Sequence, residues 1–470
     1  MSESWQRARI IPISGIRGDR EAEQRATSAV LAVLTIVRPF SKALLTPLGA
    51  SKADRALVEA FVEPQIKAES GTRIRPDGLI RVTHGSRDPW VALVEVKTGA
   101  SRLEAEQVNA YWDVARSEGF DCVLTISNEI APSPGVHPTE GLRVRSNSRV
   151  QVHHSSWTRL LTEAVKEKTH RGIDDPEQEW ILGELIRYLR HPASGVVDFD
   201  DMGTNWTTVR DGARDGTLNS RDDAVVDIAQ RWDQLLGYIS LRLGADIGAD
   251  VTEVIPRSER NDPKLRTKHI VDTLCANGQL EGTLRIPNTA GDLEIAVNLK
   301  ARQCVTTVQL DAPSDKGARG RVSWLTRQLR DCPPNLVIEA YPKNASSGIA
   351  GTLSAVAEDS SLLVGADGKP PHRFRLIART ELGPNRHSGK GRGFVESVTA
   401  AIESFYGDVL QDLTSYQPKA PKLRPQPEPD EAEQLPSVPL VNPTPQNPPI
   451  TNEGDDPMAA TEPNTWSTGT

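Results

Sequence analysis

The sequence has few of the residues that build disulfide frameworks and zinc ribbons. Its 470 residues include four cysteines, which are widely separated and form no CxxC pair: Cys122, Cys275, Cys304 and Cys332. Structural zinc sites usually need closely spaced cysteine and histidine ligands, and disulfide scaffolds need many cysteines in a short chain. The pattern argues against a zinc ribbon, gives no sign of a disulfide framework, and fits a reducing cytoplasm.

Long hydrophobic runs and an N-terminal targeting pattern are also missing. The longest apolar run lies within SAVLAVLTIV, which ends at Val37 and contains Thr35. It is shorter than the roughly 20 apolar residues that cross a bilayer as a helix. The first residues, MSESWQRARIIPISG, lack the charged and then apolar layout of a signal peptide. We therefore expect a soluble cytoplasmic protein without a membrane partner.

An excess of positive charge is the third missing feature. The formal net charge is −8 and 37% of the residues are hydrophobic. Any contact with DNA must then come from a local basic patch, because the charge of the whole chain would repel a polyanion. At about 150 residues per domain, the length predicts roughly three units.

Residues 1–170 alternate between helical and strand patterns. The sequence predicts a short strand near 8–15, a long helix over EAEQRATSAVLAVLTIVRPFSKALL that is interrupted near Pro39, and a second helix over KADRALVEAFVEPQI that Pro64 closes or kinks. Strands are predicted at RPDGLIRV, WVALVEVKT, CVLTISN and RVQVHH, with helices at RLEAEQVNAYWDVARSEG and SSWTRLLTEAVKEK. This order predicts an α/β domain whose partly parallel, mixed sheet is flanked by helices.

The rest of the chain has a different organisation. Residues 175–415 are first helical and then β-rich from about 280 to 380, before a last helix at FVESVTAAIESFYGDVLQDL, which predicts an α+β second domain of unknown function. Residues 417–470 are dense in proline and nearly free of aromatic residues, which predicts a disordered tail. The second domain or this tail could bind a protein partner.

The segment VALVEVKTG, from Val91 to Gly99, combines a buried-strand pattern with two charges. Side chains alternate between the faces of a strand, so Glu95 and Lys97 share one face while Val94 and Val96 share the other. Uncompensated charges on a central strand cost several kcal/mol each. A salt bridge between the two would compensate them in part, and a divalent cation with bound water explains the pattern better.

Asp77 offers a second carboxylate for such a cation. It stands at the start of the neighbouring predicted strand, and a hairpin would bring it close to Glu95. Two carboxylates, the backbone carbonyl of Val96 and water molecules are ligands that suit Mg²⁺ or Mn²⁺. Lys97 could then orient the attacking water or stabilise the negative charge that develops on a phosphate.

These residues carry a family resemblance. Pro76 and Asp77, with Glu95-Val96-Lys97 on the following strand, resemble the motif of the PD-(D/E)XK nuclease superfamily. Gln107 and Tyr111, on the predicted helix that follows, are similar to the QxxxY motif of its RecB-like branch. The resemblance covers residues 50–160 and implies a restriction-endonuclease-like fold.

The resemblance also implies a function and a site. It implies a Mg²⁺- or Mn²⁺-dependent nuclease that hydrolyses DNA, in defence or in repair, with Gln107 and Tyr111 on the substrate side. In the family an acidic residue of the preceding helix often joins the metal ligands. Here that residue would be Glu63 or Glu59, with Glu63 preferred because it stands at the predicted helix end.

Several alternatives remain open at this stage. Pro-Asp-Gly is strong turn chemistry, so Asp77 could be a turn residue. Glu95 and Lys97 could form a solvated charge ladder, and Gln107 and Tyr111 could serve helix packing. The whole domain could be a catalytically inactive nuclease fold that binds DNA or a partner, or an adaptor in stress response or signalling that uses the proline-rich tail.

Two further motifs fit metal or nucleotide binding poorly. His153 and His154 are adjacent on a predicted strand, so they point to opposite faces and cannot easily chelate one ion. The loop GPNRHSGKGRG resembles a phosphate-binding loop, but Pro384 and Gly391 depart from the required pattern. Its basic residues could still contact a nucleic-acid backbone; they are Arg386, Lys390 and Arg392.

Overall fold

The computed structural model describes Ile11, residues 18–67, Gly71, and residues 73–131, 136–144, 148–386 and 393–418. The strand predicted near 8–15 lies outside these residues except for Ile11. The predicted tail lies outside them beyond residue 418, as do Lys390 and Arg392 of the basic loop. Both sheets described below belong to one compact unit.

A five-stranded mixed sheet organises the first part of the chain. The strands are β1 (Leu57–Val62), β2 (Ile66–Lys67), β3 (Arg73–Ile74), β4 (Gly78–Thr83), β5 (Trp90–Val96), β6 (Cys122–Ser127) and β7 (Gln151–Ser156). Their order in the sheet is β1-β4-β5-β6-β7, and β2 pairs with β3 separately. The β1, β4 and β5 strands are antiparallel, whereas β5, β6 and β7 are parallel. The predicted mixed, partly parallel sheet is confirmed.

Helices cover both faces of this sheet. They are α1 (Asp19–Ile36), α2 (Arg38–Leu45), α3 (Ala105–Ser117), α4 (Trp157–Val165) and α5 (Pro176–Leu189). The predicted interruption near Pro39 falls at Val37, which is extended, and Pro39 occupies the first turn of α2. A proline fits there because the first amides of a helix have no partner within it.

One predicted helix is wrong. The segment 52–66 contains β1, which pairs with β4 along its whole length. The helix prediction rested on an apolar stripe at helical spacing, formed by Leu57, Val58, Phe61 and Val62. Valine and phenylalanine are also favoured in strands, so the same residues suit either structure. Backbone pairing with β4 along all of β1 selects the strand, and Arg81 adds an ion pair with Glu59 and a contact over the Phe61 ring.

The described residues beyond α5 contain a seven-stranded antiparallel sheet and further helices. Its strands are β8 (Thr252–Glu253), β9 (Gln279–Arg285), β10 (Leu293–Asn298), β11 (Gln303–Asp311), β12 (Val337–Pro342), β13 (Ile349–Thr352) and β14 (Pro371–Glu381). The strand order is β13-β12-β14-β11-β10-β9-β8. The helices are α6 (Trp206–Asp215), α7 (Asp223–Ile247), α8 (Arg257–Asn261), α9 (Pro263–Asn277), α10 (Ala318–Gln328), α11 (Leu353–Glu358) and α12 (Phe394–Phe405).

The core of the first sheet is split between its two faces. Val94 and Val96 pack into the cluster that contains α1, α4 and α5, whereas Leu93 packs with residues of α3. Ile130, just beyond β6, joins the core of the second sheet instead. Within the described ranges, no single helix is long and apolar enough to cross a membrane; only α1 and α2 together pass that test, and they are bent by 110°.

Candidate active site

Asp77 and Glu95 lie opposite each other where β4 begins and β5 ends. The antiparallel register pairs Gly78 with Val94, which sets the preceding Asp77 across from Glu95. The Oδ2 atom of Asp77 accepts a hydrogen bond of 2.8 Å from the amide of Val96. The side chain of Val96 itself is buried in the core on the other face. Asp77 is thus anchored to the strand that carries Glu95.

Glu95 is a buried carboxylate whose two oxygens differ. Its side chain is 1% exposed, and Oε1 accepts a hydrogen bond of 2.6 Å from the Lys97 ammonium. The other oxygen, Oε2, is buried and makes no well-aligned hydrogen bond, and the Tyr111 hydroxyl is the neighbouring donor that also acts on this carboxylate. Burial, followed by the charge of Asp77, raises the pKa of Glu95 to about 7 against the opposing effect of Lys97. A solvated charge ladder is therefore excluded for Glu95.

The backbone of Lys97 is fixed by hydrogen bonds at both its amide and its carbonyl. Its amide donates to the carbonyl of Ile126 (2.8 Å), and its carbonyl accepts from Nε1 of Trp157 (2.8 Å). Burial lowers the pKa of Lys97, but the neighbouring carboxylates, led by Glu95, raise it more, so the net shift is upward. Lys97 consequently remains a cation at neutral pH.

A third acid, Glu23 of α1, reaches the same place. Its Oε1 lies 3.7 Å from the Lys97 Nζ atom. The pKa of Glu23 is raised, first by burial, and the charge of Asp77 contributes to the rise. Sequence reasoning missed this residue. Its position on α1 could have identified it. Glu23 lies one turn before the buried residues Ala26, Val30 and Val33 and on the same face of the helix, where an apolar residue would be expected.

Glu63 and Glu59 do not take the place that the sequence assigned to them. Both belong to the strand segment rather than to a preceding helix, since Glu63 directly follows β1 with φ of 49°. Its carboxylate accepts hydrogen bonds from Gln24 (3.0 Å) and from Arg75. These contacts, led by that of Gln24, lower the pKa of Glu63. Glu59 pairs with Arg81 across the sheet, so Glu23 is the helix acid beside Lys97.

Gln107 and Tyr111 lie one turn apart on α3. Gln107 Nε2 donates to the Tyr111 hydroxyl at 3.1 Å, and this hydroxyl donates to the carbonyl of Arg75 at 3.3 Å. Burial, followed by the charge of Glu95, raises the pKa of Tyr111. The Tyr111 ring also packs in the core with Leu93. Tyr111 thus serves helix packing and stands beside Glu95 as well.

The loop after Lys97 is fastened to a turn from further along the chain. The amide of Gly99 donates to the carbonyl of Gly195 (2.8 Å), and the Asn128 amide group donates to both glycine carbonyls. Gly195 has φ of 75°, and a Cβ atom there would come within 2.8 Å of the Cβ of Thr98. Only glycine allows this close approach without strain.

The carboxylates of this cluster meet some of the requirements for binding a divalent ion. In the stretches that the structure describes, no group of three or more His, Cys, Asp and Glu side chains forms a ready ligand set. Asp77 and Glu95 provide two hard carboxylates, and Glu95 Oε2 makes no well-aligned hydrogen bond. With Glu23 counted, three carboxylates surround one ammonium, an excess of two negative charges at full ionisation. Mg²⁺ typically binds through one or two carboxylates and keeps several waters.

The described residues of the two other motifs have partners of their own. His154 shares the hydroxyl of Thr125 with His137, and its Nε2 pairs with the carbonyl of Glu129. Burial lowers the pKa of His154 to about 4, which keeps the ring neutral. In the basic loop, Arg386 forms a two-pronged ion pair with Asp201.

Comparison with protein-family models and with curated proteins finds no match for the chain. The resemblance to the PD-(D/E)XK nuclease superfamily therefore stays a prediction that rests on the residues of this site.

Proposed function

We propose that the protein is a Mg²⁺- or Mn²⁺-dependent nuclease that hydrolyses DNA at the site of Asp77, Glu95 and Lys97. The observation that supports this most directly is the Oε2 atom of Glu95, buried without a well-aligned hydrogen bond beside a second carboxylate. An unsatisfied buried oxygen costs free energy unless something binds to it. A hard divalent cation is the partner whose chemistry suits two carboxylates with an excess of negative charge.

Each residue has a defined task in this proposal. Asp77 and Glu95 hold the ion, with Glu23 as a third acid that can bind it directly or through water. The ion supplies a polarised phosphate oxygen and a more acidic water. Lys97, fixed by its backbone contacts to Ile126 and Trp157, donates to the water or to the phosphate oxygen on which charge develops. Gln107, whose Nε2 atom donates to the Tyr111 hydroxyl, would line the substrate side of the site together with Tyr111.

The surroundings of Lys97 support an anionic substrate. A cleft beside it is lined by Arg20, Lys97, Ser101 and Arg102, with Glu23 and Glu104 also in the wall. The cationic side chains of this lining offer a place for phosphates near Glu23 and Lys97. With three cations against two carboxylates in its lining, this cleft is the place where the proposed DNA contact would be made.

The test is a cleavage assay on plasmid, linear and single-stranded DNA with Mg²⁺, Mn²⁺ or a chelator. Glu95→Gln and Lys97→Met should each abolish cleavage, because they remove a metal ligand and the cation while nearly keeping side-chain volume. Glu59→Gln is the matched control: it neutralises a carboxylate of β1 that is paired with Arg81, and it should cleave normally. Equal cleavage by wild type, Glu95→Gln and Lys97→Met would remove the assignment.

One observation favours a second candidate, a catalytically inactive nuclease fold that binds DNA or a partner protein. The Lys97 ammonium already pairs with one Glu95 oxygen at 2.6 Å, so part of the negative charge of the site is balanced without a metal. Metal titration separates the two candidates. A working site predicts that Mn²⁺ raises thermal stability, by about 2.7 kcal/mol at one hundred times Kd, and that Glu95→Gln abolishes the rise. A scaffold predicts no rise.

A further inference from the structure

A second pocket lies beside α6, in the predicted α+β domain whose function the sequence left unknown. Its volume is about 170 Å³. The wall contains two aromatic residues, Trp206 and Phe394, whose ring centroids are 4.1 Å apart. Three arginines and one acid also line it: Arg210, Arg214, Arg302 and Asp211. The pocket thus combines an apolar wall with a cationic rim.

The helix itself aligns these groups. Trp206, Arg210 and Arg214 are spaced four residues apart on α6, so they fall on one face of the helix. Arg302 comes from the turn before β11 and has φ of 54°. This left-handed conformation is uncommon for a residue other than glycine. Helix α6 and the turn before β11 thus both contribute guanidinium groups to the pocket.

Each arginine of the rim has an acidic partner but keeps unused N–H donors. Arg210 donates to Asp211 (2.9 Å) and to the carbonyl of Pro384 (2.5 Å). Arg214 is 61% exposed and bonds to Asp215 at 2.9 Å. A guanidinium has five N–H donors, and these contacts engage only some of them. Arg302 pairs with Glu381 at 3.5 Å. The arginines and their acidic partners therefore balance in charge, and the unused N–H donors are the groups that a phosphoryl oxygen would accept from.

Trp206 supplies an independent observation. The residue is 1% exposed, yet its indole Nε1 has no hydrogen-bond partner. Three other described tryptophans satisfy the same group: Trp112, Trp157 and Trp232 each donate to a backbone carbonyl at 2.8–3.0 Å. Leaving a buried donor unpaired costs about 1–3 kcal/mol. An acceptor on a bound molecule would remove this cost.

We propose that this pocket binds a small organic phosphate that carries a planar aromatic ring, the chemical class that includes nucleoside monophosphates. The arginines of the rim bind the phosphoryl group, the apolar wall contacts the ring, and the indole N–H of Trp206 donates to an acceptor of the ligand. Binding here needs neither a metal nor DNA cleavage, so it is separate from the function proposed above.

The test is calorimetric titration of the full chain, with chelator present, using thymidine monophosphate, thymidine and inorganic phosphate. The monophosphate should bind more tightly than either half alone. Arg214→Gln should weaken this binding about tenfold, since a hydrogen bond to a charged group contributes about 1.5–3 kcal/mol. Arg330→Gln is the charge-matched control, because Arg330 is 80% exposed and lies outside the pocket lining.

Trp206→Phe separates the indole donor from the charge. It should weaken binding of the monophosphate while destabilising the fold less than Trp157→Phe, because the Trp206 donor has no partner to lose. Thermal melting checks that the variant folds, and Arg214→Gln carries the test if it does not. The proposal is overturned if the monophosphate binds no better than inorganic phosphate, or if Arg214→Gln binds it like wild type.

Discussion

Glu95 should make the metal-free protein less stable as the pH rises. Its pKa is raised from 4.5 in the unfolded chain to about 7 in the fold. The folded state therefore holds the Glu95 proton more tightly than the unfolded state does. The stability from this proton is fully present below pH 4.5 and is lost as the pH rises through about 7.

The expected size follows from the shift. The difference of 7 − 4.5 is 2.5 pKa units, and at 1.36 kcal/mol per unit it corresponds to a loss of about 3 kcal/mol. The side chain is 1% exposed, so solvent screening reduces this figure little. Glu95→Gln, which resembles the protonated acid, should be more stable than wild type by about the same amount at pH 8.

The assay is denaturant unfolding with a chelator at several pH values between 4 and 8.5. Only the difference between wild type and Glu95→Gln is interpreted, because other groups titrate in both proteins. Glu59→Gln is the control and should change stability by less than about 1 kcal/mol at every pH, as expected for a partly exposed ion pair. A difference between wild type and Glu95→Gln that stays constant with pH, or a less stable Glu95→Gln at pH 8, would refute the reasoning.

Three further predictions concern the supports of the site. Gly195→Ala should lower DNA cleavage, because the added Cβ atom would lie 2.8 Å from the Cβ of Thr98, next to Lys97. Gly172→Ala is the control: its φ of 76° is similar and no atom lies within 4 Å of the added Cβ, so it should lower stability without lowering cleavage. Trp157→Phe should lower kcat more than Trp112→Phe does, because only the Trp157 indole donates to the Lys97 carbonyl; equal kcat values would contradict this. Glu23→Gln should weaken Mn²⁺ binding in a titration, whereas Glu63→Gln should leave the Kd unchanged; the reverse order would restore Glu63 as the helix-side acid.

Local patterns were sufficient for the strand that carries the charges. The two-residue alternation of Val94, Glu95, Val96 and Lys97 predicts which side chains share a face, because alternation is a property of any extended chain. The break between α1 and α2 was equally readable, since Pro39 restricts the backbone whatever surrounds it. These features depend on covalent geometry and near neighbours alone.

Other features depended on contacts between distant parts of the chain. The segment Leu57–Val62 satisfies helical and strand periods alike, and pairing with β4 selects the strand. Glu23 reaches Lys97 only because α1 packs over the sheet, and Gly195 holds Gly99 across nearly a hundred residues. Periodicity in sequence carries no information about which element becomes the neighbour of another. Long-range packing therefore chose the third acid of the site and the turn that supports it.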